Sequence, residues 1–260
     1  MRAFIAFGVL AAAAVVQVVF LFARRKPDPV SHWLLAAAGL LLLSVTVERS
    51  IAISFAAVTN TFESLVFFSA VLCFVLSGWR LAARDRVPPL VIFGGTVVAL
   101  ALLAVASSPI APRDVAPPIP ALQSSWLVLH VTCSFIGEAF FAVAFVASVA
   151  RLAARDAERR ARLDRLTSTA IGIGYPVFTA GALIFGAIWA QTAWGAWWSW
   201  DPKETWALVT WLVYTAYLHA RFVARLRGTA TAIIAVAGFV LALFTFFGVN
   251  YLLAGLHSYG

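Results

Sequence analysis

Charged side chains are scarce in this chain of 260 residues: Asp, Glu, Lys and Arg together make up 12%, whereas 63% of the residues are hydrophobic. A soluble domain cannot bury that much apolar surface, so the composition excludes the soluble class. Cysteine is scarce as well, and Cys73 and Cys133 lie in separate apolar blocks. Neither a disulfide framework nor a CxxC redox pair is therefore available to this chain.

What the chain has instead is a series of apolar blocks of about twenty residues, separated by short basic or proline-rich connectors. A hydrocarbon layer roughly 30 Å thick requires helices of this length. We therefore predict an all-α polytopic membrane protein with about eight transmembrane helices. The predicted spans are 3–23, 31–54, 64–83, 89–107, 126–150, 169–191, 204–224 and 229–250.

The distribution of the 19 lysines and arginines indicates the membrane topology rather than a nucleic-acid partner. Fifteen of them fall in connectors on one side of the eight predicted spans. The other four are Arg2, Arg49, Arg113 and Lys203. By the positive-inside rule the richer side is cytoplasmic, which places both termini on the outer side. We expect one integral membrane domain, built from an N-terminal four-helix region (1–125), which ends in a proline-rich outer loop, and a C-terminal core (126–260).

A dense tryptophan segment lies between spans six and seven, on the predicted outer side. It reads Trp194-Gly-Ala-Trp197-Trp198-Ser-Trp200-Asp201-Pro202-Lys203-Glu204. An interfacial aromatic belt explains one or two such rings, whereas four in seven residues also favour a flat platform for a large planar ligand. The sequence leaves both interpretations open. Asp201, Pro202 and Glu204 form a capping-box-like start for span seven, which leaves Lys203 outside for an acidic ligand group.

Histidines lie at both ends of the predicted spans. His130, near the start of span five, and His257, beyond span eight, share the outer side with the tryptophan segment. Each is either a satisfied interfacial side chain or, with the other, an axial ligand of a planar macrocycle such as haem. His219 lies eighteen residues after Asp201, roughly 27 Å further along a helix, and so belongs to the cytoplasmic end. It marks either a functional site within the membrane or an interfacial position.

Two glutamates are further candidates. Glu138 follows His130 by eight residues on span five, about 12 Å deeper in a regular helix. It can pair with a buried donor, bind a proton or face a wet cavity, and the sequence does not choose among these roles. Glu63 opens span three, either as a favourable charge at a helix start or as part of the outer site.

Two stretches, GAIWAQTAWGAWWSWDPKETWALVTWLVYTAYLHAR and FFGVNYLLAGLHSYG, resemble the CcsA/ResC family of system II cytochrome c biogenesis proteins, whose hallmark is a WWD motif. The resemblance covers about residues 60–260. It implies a haem-handling subunit of a cytochrome c synthase, which holds haem b and attaches it by thioether bonds to CxxCH motifs of apocytochrome c. It also implies a CcsB/ResB-type membrane partner. The expected location is the bacterial cytoplasmic membrane, or the thylakoid membrane for a plastid protein, with an extracytoplasmic active face.

The resemblance also implies roles for individual residues. His130 and His257 match the outer axial ligands of the haem iron, beside the tryptophan segment and Asp201. His219 matches a ligand that holds haem in transit, with the opposing ligand supplied by the partner. Lys203, Glu63 and Glu138 remain candidates for the same site.

Two alternative functions fit parts of the sequence. A CcmC-type protein, which delivers haem to a haem chaperone, is expected to have fewer spans and a different continuation after Trp-Asp. A membrane cytochrome subunit for electron transfer is expected to carry facing pairs of histidines within the bilayer, whereas only His219 lies at depth here. Eight spans and the continuation DPKETWAL favour the synthase subunit.

Overall fold

The computed structural model of the protein describes residues 1–24, 28–83 and 87–253, and in these ranges it contains helices and no strand. Within these ranges seven helices are long and apolar enough to cross a membrane. They are Arg2–Arg24, Ser31–Ile53, Thr61–Ala82, Pro89–Ala106, Ser125–Ala153, Ala157–Trp194 and Thr229–Leu252. The prediction of an all-α polytopic membrane protein is confirmed.

The helices are α1 (Arg2–Val18), α2 (Ser31–Ile53), α3 (Thr61–Ala83), α4 (Pro89–Ala106), α5 (Ser125–Ala153), α6 (Ala157–Phe178), α7 (Gly186–Trp194), α8 (Pro202–Leu218), α9 (Thr229–Leu243) and α10 (Val249–Leu252). In the described part of the chain four π-helical segments continue or join them. They are Val19–Arg24, Thr179–Phe185, His219–Val223 and Phe244–Gly248. A short 3₁₀ turn, Pro120–Leu122, precedes α5.

The remaining predicted span, 204–224, corresponds to α8 and the π-helical segment that follows it. Their 17 and 5 residues together make a helix about 33 Å long, which is enough to cross a bilayer. Its tryptophans, tyrosines and charged residues keep it outside the group of strongly apolar helices. The total of eight spans and the outward orientation of both termini stay predictions.

The chain divides into two compact units, Met1–Gln123 and Ser124–Gly260, here called the N-terminal and C-terminal units. In the N-terminal unit α1 packs against α2 and α4, and α3 packs against the same two helices. Small residues such as Ala38 and Ala99 are fully buried, whereas Leu40 and Ile51 are 60% and 75% exposed. Small residues inside and large apolar residues outside are typical of helices that pack within lipid.

An ion-pair cluster ties the end of α2 to the start of α3 in the N-terminal unit. Nε of Arg49 donates to Oε1 of Glu63 at 3.0 Å, and the side chains are only 11% and 1% exposed. The other guanidinium nitrogens donate to the carbonyls of Arg113 and Asp114 at 3.0 and 2.7 Å. The second Glu63 oxygen accepts from the amide and hydroxyl of Thr59. This Arg49–Glu63 cluster therefore anchors the proline-rich connector.

In the C-terminal unit α5 packs against α6 and α9, and α8 packs against the same two helices. The ring of Phe141 stacks on that of Tyr214 at 3.7 Å between centroids, in the middle of this packing. The span predicted at 169–191 lies within a longer continuous helix, Ala157–Trp194. The helix begins earlier than predicted because the Asp156 carboxylate accepts the Arg159 amide at 2.6 Å and so caps its first turn.

Candidate functional site

His130 lies in the second turn of α5, and its ring is held on two sides. Its Nδ1 is 2.9 Å from the carbonyl oxygen of Gly181. Its ring stacks on Trp189, with 6.0 Å between centroids and 12° between planes. A carbonyl oxygen only accepts hydrogen bonds, so Nδ1 carries the proton, and in the neutral imidazole Nε2 then carries the lone pair. This is a tautomer in which imidazole ligates a metal.

The π-helical segment Thr179–Phe185 supplies this hydrogen-bond acceptor. It interrupts the long helix between α6 and α7, and its Gly181 carbonyl also accepts the amide of Gly186. Single π turns inside α-helices occur frequently at functional sites. Trp189 follows on α7 and is buried, so the same helix presents both an acceptor and an aromatic face to His130.

The tryptophan segment begins where α7 ends, and its backbone departs from ordinary geometry at two positions. Gly195 adopts a left-handed conformation with φ of 76°, which ends the helix. Trp200 has φ of 60°, which is unusual for a bulky residue. Backbone strain of this kind is concentrated at functional sites and ligand clamps. Trp197 and Trp200 are 59% and 69% exposed.

The rings of this region do not form one flat surface. The rings of Trp198 and Trp200 meet at 87°, with 5.8 Å between centroids, and those of Trp189 and Trp194 meet at 72°. Edge-to-face packing of this kind satisfies the aromatic quadrupoles of the pairs themselves. The segment thus provides a corner of indole rings rather than a single plane.

Two indole donors in the segment lack acceptors. Nε1 of Trp194 and Nε1 of Trp198 are buried, and neither finds a hydrogen-bond partner among residues 1–24, 28–83 and 87–253. An unsatisfied buried donor costs about 1–3 kcal/mol. Buried Trp N–H groups normally find a partner, so these two donors remain available to an acceptor beyond the described residues.

Asp201 and Glu204 organise the start of α8, as the sequence predicts. The Asp201 carboxylate accepts the Lys203 amide at 2.9 Å and the two acidic residues complete a capping box. Oε2 of Glu204 also accepts the amide and hydroxyl of Ser199, at 2.8 and 3.1 Å. The cap therefore holds the turn that carries the strained Trp200.

Lys203 points into the C-terminal unit rather than away from it. Its ammonium donates to Oδ1 of Asn250 at 3.0 Å and lies 5.9 Å from the centre of the Phe246 ring. Glu138, on α5, lies close enough for an electrostatic attraction to Lys203. The two residues thus place one basic and one acidic side chain in the interior of this unit.

The remaining predicted site residues lie elsewhere. His219 directly follows α8 as the first residue of a π-helical segment, and its side chain is exposed. With Asp201 capping the other end of the 17-residue α8, the two are about 27 Å apart along the helix. Glu63 belongs to the Arg49–Glu63 cluster of the N-terminal unit. His257 lies outside the described residues.

Sequence reasoning missed Gly181, Gly186 and Trp189, which surround His130. Their signal is the spacing of the two glycines, five residues apart in an otherwise bulky apolar stretch. Five residues is also the hydrogen-bond spacing of a π turn. It missed Asn250 as well, because the partner of Lys203 lies 47 residues away in the chain.

Known proteins resemble the chain along most of its length. Residues 58–257 match the family described as cytochrome C assembly protein. A cytochrome c biogenesis protein CcsA of Prochlorococcus marinus (strain MIT 9303) is 38% identical over 267 residues, covering 87% of this chain and 83% of the relative. A protein of the same name from Chlamydomonas reinhardtii is 35% identical, covering 92% and 71%. One from Guillardia theta is 36% identical, covering 78% and 76%.

Proposed function

Since the chain belongs to the cytochrome c assembly protein family, we propose that it is the haem-handling subunit of a system II cytochrome c synthase. Its role lies in cytochrome c maturation, and it acts as an integral membrane protein. In this proposal it moves haem b outward, holds it at the tryptophan segment and presents it to apocytochromes. Haem is the substrate, which the protein binds and hands on.

The geometry of His130 is the single observation that carries the proposal. Its Nδ1–H donates to the Gly181 carbonyl at 2.9 Å, which orients the ring and leaves the lone pair on Nε2. The ring is flanked by Trp189, whose edge-to-face partner Trp194 begins the tryptophan segment. A fixed imidazole beside a corner of indole rings suits an iron porphyrin, which binds axial ligands at its faces and packs against apolar walls.

The orphan donors of the segment suit the polar edge of haem. Haem carries two propionate carboxylates, and a carboxylate that accepts a buried N–H makes a charge-assisted hydrogen bond. Nε1 of Trp194 and Nε1 of Trp198 are such donors. The Lys203 ammonium is a positive charge in the same unit, and a propionate can compete for it with Asn250 and Glu138.

The other two histidines complete the proposed haem path. His257 would be the second outer axial ligand. His219, exposed at the far end of α8, would bind haem before it reaches the outer site, with the opposing ligand from a CcsB/ResB-type membrane partner. An exposed imidazole suits such a shared site because a second protein can approach its free face.

The chemistry proposed for the outer site is thioether formation. Each cysteine S–H of an apocytochrome CxxCH motif adds across one haem vinyl group, with sulfur on one carbon and hydrogen on the other. Every atom is retained in the product. This chain contributes by fixing the iron through its axial ligands, so that the vinyl edge stays in one orientation for attack.

Purification of the full chain with a CcsB-type partner tests the proposal. We expect the complex to carry b-type haem. We expect His130→Ala and His257→Ala each to lower the affinity for this haem by at least tenfold and to stop cytochrome c maturation. Absorption spectra of the reduced complex and covalent haem staining of a reporter cytochrome are the measurements. His219→Ala in the same complex should lower total haem, because the outer site is no longer supplied.

His32→Ala is the matched control, because His32 is at the start of α2 in the N-terminal unit. It should keep the spectrum and the maturation yield of the unsubstituted complex. Normal maturation in both His130→Ala and His257→Ala would refute the axial-ligand assignment. A complex without haem in any preparation would refute the haem-handling role itself.

A further inference from the structure

The ring of His130 meets the one place where the long helix Ala157–Trp194 changes its winding. We infer, on the basis of the proposed function in which His130 ligates haem iron, that Gly181 is a positioning residue: its carbonyl, presented by the π turn Thr179–Phe185, holds the Nδ1–H of His130 and so sets the orientation and donor strength of the ligand.

Glycine is required at position 181 because two backbones approach each other there. A Cβ built on Gly181 would lie 2.7 Å from the carbonyl carbon of Cys133 and closer still to the amide nitrogen of Ser134, both on α5. Main-chain atoms of a packed helix cannot move aside cheaply. Only a residue without a side chain lets the π turn come close enough for its carbonyl to reach the imidazole.

Gly186 leaves room for the imidazole ring itself. A Cβ there would lie 3.0 Å from Nδ1 of His130 and 3.2 Å from Cε1. A methyl group at this position would push the ring by a few tenths of an ångström. Such a shift would disturb the 2.9 Å contact between Nδ1 and the Gly181 carbonyl.

The π turn also sets which face of α7 meets His130. A π turn holds one residue more than an α turn, and one residue corresponds to a rotation of about 100°. Gly186 and Trp189 follow the turn, so both face the ring in the register that this extra residue creates. One structural feature thus supplies the acceptor, the clearance and the stacking ring.

The consequence is chemical as well as geometric. A ligating imidazole that donates Nδ1–H to a carbonyl is a more basic ligand, and stronger donation to iron lowers the reduction potential of haem. The carbonyl of Gly181 would therefore tune both how tightly the outer site holds haem and at what potential.

Chemical rescue of His130→Gly in the full complex tests this inference directly. Three probes fill the ring's place: imidazole, 4-methylimidazole and 1-methylimidazole. The first two keep an N–H opposite the ligating nitrogen, whereas 1-methylimidazole has none, and the two methylated probes match in size. We expect imidazole and 4-methylimidazole to restore the haem spectrum at the potential of the unsubstituted complex. With 1-methylimidazole we expect about tenfold weaker rescue and a higher potential.

Gly186→Ala is the second variant, because it alters the hydrogen bond without removing the ligand. It should weaken haem binding by about 10- to 100-fold and raise the haem potential. Gly172→Ala is its control, since Gly172 lies in α6 of the same continuous helix and an added Cβ meets nothing within 4 Å. It should leave both quantities unchanged.

The outcomes separate this inference from the proposed function. If His130→Gly keeps the haem spectrum of the unsubstituted complex, His130 is not the ligand and the proposed axial site is wrong. If that spectrum is lost, but 1-methylimidazole rescues as well as 4-methylimidazole and Gly186→Ala keeps the original potential, the role of Gly181 alone is refuted.

Discussion

The Arg49–Glu63 cluster and the tryptophan segment differ in how far their polar atoms are hydrogen-bonded. In the Arg49–Glu63 cluster both carboxylate oxygens accept hydrogen bonds, and three guanidinium nitrogens donate to a carboxylate or a carbonyl. In the tryptophan segment two buried indole donors and one carboxylate oxygen, Oε1 of Glu204, have no partner among the described residues. The polar groups of the first region thus pair with one another and with nearby carbonyls, whereas the second region keeps polar atoms without a partner among the described residues.

The difference separates a structural role from the ligand-binding role that we propose for the tryptophan segment. A buried charge needs its partners to remain folded, so a fully satisfied cluster is explained by stability. Unsatisfied donors cost stability and persist where another molecule satisfies them. Glu63, a candidate member of the haem site by sequence, is therefore explained by its pairing with Arg49, and the tryptophan segment is the better place to seek a ligand.

Removing one partner of the Arg49–Glu63 cluster should have the largest effect on stability. We expect Glu63→Gln to lower the free energy of unfolding by about 3 kcal/mol, because it leaves the guanidinium charge of Arg49 buried without its counter-ion. Thermal or detergent-induced unfolding of the purified protein measures this. The haem bound per folded molecule should stay unchanged.

Glu48→Gln is the control for that loss, since Glu48 pairs with Arg2 at 2.8 Å and both side chains are largely exposed. It should cost less than about 1 kcal/mol. Equal losses in the two variants, or loss of haem from folded Glu63→Gln protein, would break the contrast between the two regions.

Replacement of the orphan indoles should have an intermediate effect on haem and a small one on folding. We expect Trp194→Phe and Trp198→Phe each to weaken haem binding by about tenfold, because a hydrogen bond to a charged group contributes about 1.5–3 kcal/mol. Without haem, neither variant loses a hydrogen bond to any residue that the structure describes. Haem titration and thermal unfolding of the haem-free protein are the two measurements.

Trp211→Phe provides the comparison, because Nε1 of Trp211 donates to the Thr179 hydroxyl at 2.9 Å. It should lose about 1 kcal/mol of stability more than the other two variants and bind haem normally. The opposite pattern, with haem affinity lowered only by Trp211→Phe, would show that the orphan donors do not face the ligand.

Substitution of Asp201 should have the smallest effect, and it distinguishes helix capping from a direct contact with the ligand. Asn caps helices as well as Asp does, whereas Ala costs about 1 kcal/mol. If Asp201 serves only as the cap of α8, Asp201→Asn should match the unsubstituted protein in unfolding temperature and haem affinity, and Asp201→Ala should be less stable. Loss of haem from a stable Asp201→Asn protein would instead assign its carboxylate to the ligand.

Much of the fold follows from local sequence. Apolar blocks of bilayer length predict the helices, since a membrane leaves a helix few alternatives. The capping box at Asp201 and Glu204 was equally predictable, because its partners lie within four residues. The start of α6 was not, because the charged residues after Asp156 suggest a connector until the cap and the continuous winding are seen.

The candidate site divides in the same way. Composition and spacing single out His130, His219 and the tryptophans, since each is a chemically distinctive residue in an apolar chain. The edge-to-face arrangement of Trp198 and Trp200 was beyond prediction, because ring angles depend on the strained turn that carries them. The pairing of Arg49 with Glu63 joins different helices and could not be read from either one.

The scarcity of charge thus determined by itself that this chain is a helical membrane protein, because burying its apolar surface leaves no other solution. The histidine and tryptophan residues predicted a candidate haem-binding site. Only the tertiary structure decided how His130 is held, since its acceptor, the Gly181 carbonyl, lies 51 residues away on another helix. A backbone carbonyl has no side-chain signature, and the π turn that aims it arises from packing between helices rather than from the propensity of any one residue.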